Sequence, residues 1–218
     1  MRKLFLCLLV FPFLTSAQEI NRFDEYERRQ GVWIKYYDNG NIRYKGVFKD
    51  DRAEGLFYYY YQSGELKAEK QFFDDGYAAA THFFYRDGKL KSSGLYVEGL
   101  KDSTWNYYNR DSILIMSEQY QKGQLNGLSK TFFDDGNIYE IKEWKDGLLH
   151  GFWKQFFRDG SLMMESYYKD NLRDGKQTYY YPNGQVYYNG LYDDDIKSGV
   201  WEFFNKDGVG DTLINYDE

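Results

Sequence analysis

One spacing constrains this chain more than any other feature. From residue 31 onward, similar residues recur every 24 positions, eight times, with no insertion or deletion. The eight rows begin at Gly31, Gly55, Ala79, Ser103, Gly127, Gly151, Gly175 and Gly199. Nine residues into each row comes a second small residue: Gly40, Gly64, Gly88, Ser112, Gly136, Gly160, Gly184 and Gly208. A fixed period of this length is the signature of a repeat protein, in which neighbouring units stabilise one another.

Three further positions repeat with the same period, and all are apolar. The first is aromatic in every row: Tyr36, Tyr60, Phe84, Tyr108, Phe132, Phe156, Tyr180 and Phe204. The second is also aromatic throughout: Phe48, Phe72, Tyr96, Tyr120, Trp144, Tyr168, Tyr192 and Tyr216. The third is aliphatic in seven rows: Ile42, Leu66, Leu90, Leu114, Ile138, Leu162 and Val186. Because a one-layer sheet needs large rings to bury area, we expect the two aromatic columns to form the core.

Each row carries the pattern of a β-hairpin. A pair such as Asn39-Gly40 separates two apolar runs, and it favours a two-residue type I′ turn with positive φ at both central residues. A looser turn is predicted between rows, as at 49–54. Trp33 and Tyr36 are three residues apart, which leaves either a bulge between them or aromatics on both faces. The predicted fold class is all-β: a repetitive antiparallel β-hairpin meander of about sixteen strands in an elongated, twisted sheet.

The first 17 residues have the pattern of a secretory signal peptide. Arg2 and Lys3 precede an apolar run of eleven residues, which ends in the small residues Thr15-Ser16-Ala17. The run is too short to span a bilayer, and no later stretch is long and apolar enough to do so. We therefore expect export to the periplasm or to the outside of the cell, with cleavage after residue 17.

Two further segments complete the predicted organisation. Residues 18–30 are polar and lie outside the period, and we expect them to cap the first row as a short helix with Ile20 and Phe23 turned inward. Residues 31–218 form the eight-repeat array.

The composition argues against several classes of function. The chain is acidic, with a net charge of −6, whereas a general nucleic-acid binder is basic. Two histidines and one cysteine are too few for a metal site built on those residues. The acidic run at 193–195 is open to a bound cation or to a solvated turn. No nucleophile elbow is present. We assign no catalytic residue, cofactor or metal ligand, and expect a protein that is not an enzyme.

The row pattern G-x-W-x-x-Y-Y-x-N-G-x-L-x-x-x-G-x-Y resembles the MORN repeat. It is closest to the variant found in exported bacterial 24-residue repeat proteins and in YwqK-family antitoxins. In row one the resemblance is carried by Gly31, Trp33, Tyr36, Tyr37, Gly40, Ile42, Gly46 and Phe48. It implies a repeat scaffold for protein contacts, and membrane attachment in some eukaryotic members. The latter fits poorly with this chain, because removal of residues 1–17 takes the net charge from −6 to −8.

The tyrosines outside the invariant columns are the candidate binding residues. They exceed what one face can hold, so we expect some to be exposed and to contact a partner. The predicted set is Tyr58, Tyr59, Tyr61, Tyr107, Tyr179 and Tyr181. The first functional hypothesis is a protein-interaction scaffold, inhibitor-like or antitoxin-like by resemblance. The alternative is a module that binds an envelope glycan or a lipid head group through exposed aromatics.

Overall fold

The structure, a computed structural model, describes residues 19–217. This part of the chain forms seventeen β-strands and contains no helix. The strands are β1 Arg22–Phe23, β2 Arg29–Tyr36, β3 Ile42–Lys49, β4 Arg52–Tyr60, β5 Leu66–Phe73, β6 Ala78–Phe84, β7 Leu90–Val97, β8 Leu100–Tyr108, β9 Leu114–Gln121, β10 Gln124–Phe132, β11 Ile138–Lys145, β12 Leu148–Phe156, β13 Leu162–Lys169, β14 Leu172–Tyr180, β15 Val186–Asp193, β16 Ile196–Phe204 and β17 Gly210–Asn215.

Each strand pairs antiparallel with its neighbours in sequence, from β1 to β17. Within 19–217, no pairing joins the two ends of this series, so the sheet is open. Each row supplies two strands, β2 and β3 in row one and β16 and β17 in row eight. The predicted all-β hairpin meander is therefore confirmed, with β1 as one strand more than the repeats supply.

The Asn-Gly and Asp-Gly turns differ from the predicted type. In row one the Tyr37 carbonyl accepts a hydrogen bond from the Gly40 N–H at 2.9 Å, and the Tyr37 N–H donates to the Asn41 carbonyl at 2.8 Å. Gly40 has a φ of 83°, but Asn39 has no positive φ. The loop therefore has three residues, a type I turn followed by a left-handed glycine, and the predicted type I′ turn is wrong here.

The tight type I′ turns lie at the opposite ends of the strands, where a looser turn was predicted. Only two residues join β3 to β4, and both have positive φ, 50° at Asp50 and 66° at Asp51. Five other row junctions have the same form: Glu98-Gly99, Lys122-Gly123, Asp146-Gly147, Asp170-Asn171 and Asp194-Asp195. We call this the acidic edge of the sheet, and the side with the Asn-Gly loops the glycine-loop edge.

The start of most rows bulges out of the regular ladder. Between β3 and β4, Lys45 pairs with Tyr58 and Val47 with Glu54, so Gly46 alone faces three residues, 55–57. Row three lacks this bulge, and β5 and β6 pair without a register shift. Ala79 stands there in place of a left-handed residue, and its Cβ disfavours positive φ. The two extra residues lie instead in a longer turn, 74–77.

The core is built on rings that cover glycines of the preceding strand. Phe57, Trp105 and Trp201 are each only 1% exposed, and they are the largest fully buried side chains of the described chain. A Cβ at Gly46 would overlap the Phe57 ring, one at Gly94 the Trp105 ring, and one at Gly190 the Trp201 ring. The second aromatic column packs edge-to-face beside them, as Tyr192 does on Trp201 with ring centroids 5.1 Å apart.

The first aromatic column is not part of this core. Tyr36 is 47% exposed, and the other seven members are half-buried. Trp33 pairs with Gly46 and Lys35 with Tyr44, and the register shift that follows Lys35 comes from an extra residue in β3, Arg43. β2 itself therefore has no extra residue between Trp33 and Tyr36. The two rings therefore lie on opposite faces, and of the two arrangements open from the sequence, the sheet has aromatics on both faces.

The predicted helical cap is also wrong. Residues 22–23 form the short strand β1, which pairs with Gln30 and Arg29 of β2. The Asn21 side-chain amide donates a hydrogen bond to the Ile34 carbonyl at 3.0 Å and accepts one from the Ile34 N–H at 2.8 Å. Ile20 is 49% exposed rather than turned inward, and Phe23 is 56% exposed although its ring touches Trp33. A strand forms here because the first strand of the array has a row of unpaired backbone groups to satisfy.

Candidate functional site

One face of the sheet carries the buried rings, and it is the candidate binding surface. We call it the aromatic face and define it by Trp33, Phe57, Trp105, Trp153 and Trp201, which occupy the same row position. Side chains two residues further along each strand share this face, because successive side chains of a strand alternate.

A second bulge in each row leaves one residue unpaired, and in rows one to three this residue is basic and turns toward this face. Next to the glycine loop, Tyr59 pairs with Ala68 and Tyr60 with Leu66, which leaves Lys67 unpaired. Arg43 and Lys91 hold the equivalent unpaired positions in rows one and three. A bulge re-aims the extra side chain. All three of these cations are exposed.

These cations line two neighbouring concavities on the aromatic face. The first, of about 350 Å³, is lined by Tyr37, Arg43, Tyr44, Tyr59, Tyr60 and Lys67. The second, of about 280 Å³, is lined by Tyr61, Lys67, Phe83, Phe84, Lys91, Ser92, Tyr96, Lys101, Trp105 and Tyr107. Lys67 belongs to both. The two concavities therefore form one basic, aromatic-walled surface over rows one to four, which we call the basic–aromatic surface.

Lys70 lies on the aromatic face between Tyr59 of the first concavity and Tyr96 of the second. Its ammonium is 4.3 Å from the centroid of Tyr96 and 6.0 Å from that of Tyr59. Where a fully buried ring packs on the preceding strand, that strand has a glycine at the position equivalent to Lys70. Lys70 instead pairs with the small residue Thr81. Lys70 is half-buried, and burial lowers the pKa of its ammonium. A positive charge thus sits between the two concavities without a carboxylate within 4.0 Å in the described chain.

A hydrogen-bonded group of four side chains supports the second concavity. The Lys101 ammonium donates to the Tyr107 hydroxyl at 2.5 Å and to that of Tyr120 at 3.4 Å. The Tyr120 hydroxyl in turn donates to the Glu118 carboxylate at 2.7 Å. Burial, reinforced by hydrogen bonding to Glu118, raises the pKa of Tyr120 to about 12. Burial also raises the pKa of Tyr107 and lowers that of Lys101. The wall is therefore fixed in place, with both phenols protonated at neutral pH.

The six tyrosines predicted from the sequence fall into three groups. Tyr59, Tyr107 and Tyr179 share one row position on the aromatic face, and the first two line the concavities. Tyr58 lies on the opposite face, where the Lys45 ammonium is 5.0 Å from its ring centroid. Tyr61 and Tyr181 lie at the glycine loops. All six are half-buried rather than exposed, because neighbouring rings and cations cover them.

The tyrosines at the glycine loops tie each row to the next. The Tyr61 hydroxyl donates to the Phe84 carbonyl at 2.8 Å, and that of Tyr181 to the Phe204 carbonyl at 3.0 Å. The Tyr37 and Tyr85 hydroxyls likewise donate to a carbonyl of the following row. This ladder gives the second tyrosine of the repeat motif a structural role.

Several arginines at the acidic edge are paired with aspartates. A concavity of about 730 Å³ lies there and contains Arg28 and Arg52 among its lining residues. Arg28 contacts Asp50 at 3.0 Å and Arg52 contacts Asp75 at 3.0 Å. In the acidic run at 193–195, Asp195 accepts from the Arg173 side chain at 2.7 Å. These arginine and aspartate side chains therefore satisfy one another without a ligand.

Neither a cluster of metal ligands nor a membrane-spanning helix is found in residues 19–217. No group of three or more His, Cys, Asp or Glu side chains is arranged to hold a metal ion there. No helix in the same range is long and apolar enough to cross a membrane.

Sequence reasoning missed the bulge cations. Arg43, Lys67 and Lys91 each lie three residues after the loop glycine, so the row alignment contained the signal. Their common orientation was hidden, because it depends on a bulge that a strict two-residue alternation does not include.

Among solved structures, two structures of TarM align weakly with part of the chain. A crystal structure of TarM aligns with a TM-score of 0.32 and 16% identity, covering 44% of this chain and 20% of that one. A mutant of S. aureus TarM in complex with fondaparinux, alpha-GlcNAc-glycerol and UDP aligns with a TM-score of 0.32 and 15% identity, covering 41% of this chain and 18% of that one. The chain thus spans about a fifth of their length, and the likeness carries no conclusion about activity.

No match is found among curated proteins. A family profile described as a MORN repeat variant, however, matches five segments, 29–50, 53–74, 125–146, 149–170 and 173–194. Each match spans one hairpin with its glycine loop, and together they cover just over half of the chain. The unmatched rows include rows three and four, where Ala79, Ser103 and Ser112 replace glycines. The chain therefore belongs to the MORN repeat variant family.

Proposed function

We propose that the protein is an exported, non-catalytic scaffold that binds another protein through the basic–aromatic surface, in the manner of an inhibitor or antitoxin. Export is supported by the signal-peptide pattern of residues 1–17, which lie outside the described residues. The repeat fold supports a scaffold role, because stacked rows present a long, continuous surface to a partner.

The observation that carries this proposal is the pair of concavities that share Lys67. Tyrosine, tryptophan and arginine are the residues that most often dominate the binding energy of protein interfaces. Here Tyr59 and Tyr107 form walls around Lys67, and hydrogen bonds fix Tyr107 in place. A pre-organised surface loses little side-chain entropy on binding.

A pull-down with a matched pair of variants tests the proposal. Tagged protein of residues 18–218 is incubated with envelope and secreted extract, and retained proteins are identified by mass spectrometry. We expect one near-stoichiometric protein that survives moderate salt. Tyr59→Ala, on the basic–aromatic surface, should reduce its retention at least about tenfold. Tyr58→Ala, one residue away on the opposite face, should retain it.

Circular dichroism melting of both variants checks that they remain folded. Equal loss of the partner in both variants would contradict the assignment of the surface. Absence of any retained protein with the unaltered chain would contradict the scaffold role itself.

Envelope glycan or head-group binding is the second candidate. It is favoured by the ring-walled form of the concavities, since the half-buried rings of Tyr44 and Tyr59 line the first of them and would stack on sugar rings or contact a cationic head group. Purified cell wall would then retain the protein, and free sugar would release it. Retention that sugar does not reverse would argue against this candidate.

A further inference from the structure

We propose that the protein partner presents an extended acidic segment in the polyproline II conformation, with a carboxylate at every third residue. The segment crosses the strands of rows one to three and pairs its carboxylates with Arg43, Lys67 and Lys91. This inference rests on the proposed function, because it assigns the chemistry of the partner that the basic–aromatic surface binds.

The three bulge cations have no carboxylate partner of their own. Each is exposed, and within residues 19–217 none has a carboxylate within 4.0 Å. The charged group of each lies 5.8 to 5.9 Å from the centroid of the tyrosine ring on the other side of its glycine loop. By contrast, Arg29 and Arg173 pair with Asp51 and Asp195 at 2.8 and 2.7 Å. The bulge cations are therefore available for an anion from outside the chain.

The fold does not require a cation at the bulge position. In the later rows the equivalent residues are Ile115, Tyr139, Met163, Tyr187 and Asp211. Aliphatic, aromatic and acidic side chains are thus all accommodated next to the glycine loop. A basic residue at this position in each of the three successive rows one to three therefore indicates a local role in binding rather than a requirement of packing.

The spacing of the cations fits one backbone conformation of the ligand. Adjacent rows are two strands apart, which places equivalent backbone positions at about 10 Å. A polyproline II helix rises about 3.1 Å per residue with three residues per turn, so every third side chain recurs on one side at about 9.3 Å. A β-strand would place every third side chain on alternating sides. The row period therefore favours the polyproline II form.

The walls of the surface have the chemistry that this ligand needs. Polyproline II segments dock into grooves lined by aromatic residues, because the preformed helix loses little entropy on binding. Tyr44 and Tyr59 line the first concavity, and Phe83 and Tyr107 line the second. The half-buried charge of Lys70 between them adds to the local positive potential.

The charge of the whole chain makes this recognition local. The net charge of −6 repels polyanions at long range, so an acidic ligand is favoured only where its carboxylates reach the three cations. Because exposed ion pairs are screened by salt, binding should weaken as ionic strength rises.

Fluorescence anisotropy with a synthetic peptide tests the proposal on the full chain. The probe is a fluorescein-labelled peptide of repeated Glu-Pro-Pro. We expect Arg43→Gln/Lys67→Gln/Lys91→Gln to weaken binding by about tenfold or more, since three exposed ion pairs are lost. The matched control, Lys45→Gln/Lys130→Gln/Lys176→Gln, removes the same charge from the opposite face and should bind as the unaltered chain does.

Four results would overturn the acidic-segment proposal. They are no binding of the probe by the unaltered chain, equal weakening in both triple variants, equal binding of a peptide with the same composition but its glutamates clustered at one end, and preferential binding of heparin. The last would assign the surface to an anionic glycan.

The pull-down separates this proposal from the proposed function. If the triple variant of the bulge cations retains the captured partner as well as the unaltered chain does, the acidic segment is ruled out and protein binding stands. If the unaltered chain retains no protein, the proposed function fails as well.

Discussion

At the scale of single residues, the array depends on rings that fit over glycines. Gly94 lies directly beneath the Trp105 ring, and a Cβ built at Gly94 would approach that ring to 2.3 Å. The Trp105 indole N–H also donates to the Leu95 carbonyl at 3.0 Å, which fixes the ring in place. A ring held in this way cannot move aside at little cost.

Gly94→Ala should therefore lower the free energy of unfolding by about 1–3 kcal/mol, because the ring must shift out of its position. Urea unfolding followed by tryptophan fluorescence measures the change. Gly210→Ala is the control, since a Cβ there meets nothing within 4 Å and should change stability by no more than about 0.5 kcal/mol. Similar effects of the two substitutions would show that the ring does not depend on the glycine.

Tyr120 links stability to high pH. Burial and the Glu118 carboxylate raise its pKa from 10.0 to about 12, so the folded protein keeps this proton to a higher pH than the unfolded chain does. Its contribution is complete below pH 10 and is lost between about pH 10 and 12. Tyr120→Phe should make the fall of Tm with pH in that window shallower. Tyr36→Phe alters an exposed tyrosine and should leave the slope unchanged, and identical slopes for both variants would refute the assignment.

At the scale of the hairpin, the two ends of each strand use different turns. The glycine-loop edge needs a left-handed residue only at the glycine, whereas the acidic edge needs positive φ at two residues in succession. Several turns at the acidic edge contain residues for which a positive φ is energetically unfavourable, such as Glu98 at 52° and Lys122 at 49°.

Glu98→Asn and Lys122→Asn should each raise the free energy of unfolding by about 0.5–1 kcal/mol, because Asn-Gly is the preferred pair for a type I′ turn. Thermal and urea unfolding report the gain. Gln62→Asn, in a glycine loop where φ at that residue is not positive, should have almost no effect. A comparable gain at Gln62 would mean that the backbone angle is not the cause.

At the scale of the whole molecule, stability comes from contacts between neighbouring rows. Within residues 19–217, the rows form an open series in which each strand pairs only with the strands before and after it in sequence. In such arrays whole units can be removed if the new neighbours are compatible. Removal of residues 55–102, rows two and three, brings Gly46 beneath Trp105 in place of Phe57.

The shortened chain should therefore fold and unfold cooperatively, with a lower midpoint because two row interfaces are lost. It should also lose binding of the Glu-Pro-Pro peptide, since Lys67 and Lys91 are absent. Circular dichroism and anisotropy measure the two effects. Removal of 55–90, one and a half rows, breaks the antiparallel alternation and should give no cooperative transition. A folded product from the second deletion would contradict the row as the unit of the array.

The sequence by itself determined the number of rows, the two strands in each and their order along one sheet. These follow from a 24-residue period without insertions, because a hairpin is a local element and each row then pairs with the next. The candidate site was predictable only in part. Tyr59 and Tyr107 were identified as binding residues, but Tyr58 lies on the other face and Tyr61 and Tyr181 bond the next row.

Only the tertiary structure decided the turn types, the faces and the core. Asn-Gly is compatible with more than one turn, and the strands on either side select between them. The column of Tyr36 is aromatic in every row, yet its members are half-buried or exposed. The core forms instead on the more variable column of Trp105, because the bulge at the start of that row places the ring over a glycine. The orientation of Lys67 follows from one unpaired residue, since each extra residue in a strand reverses the face of the side chains around it.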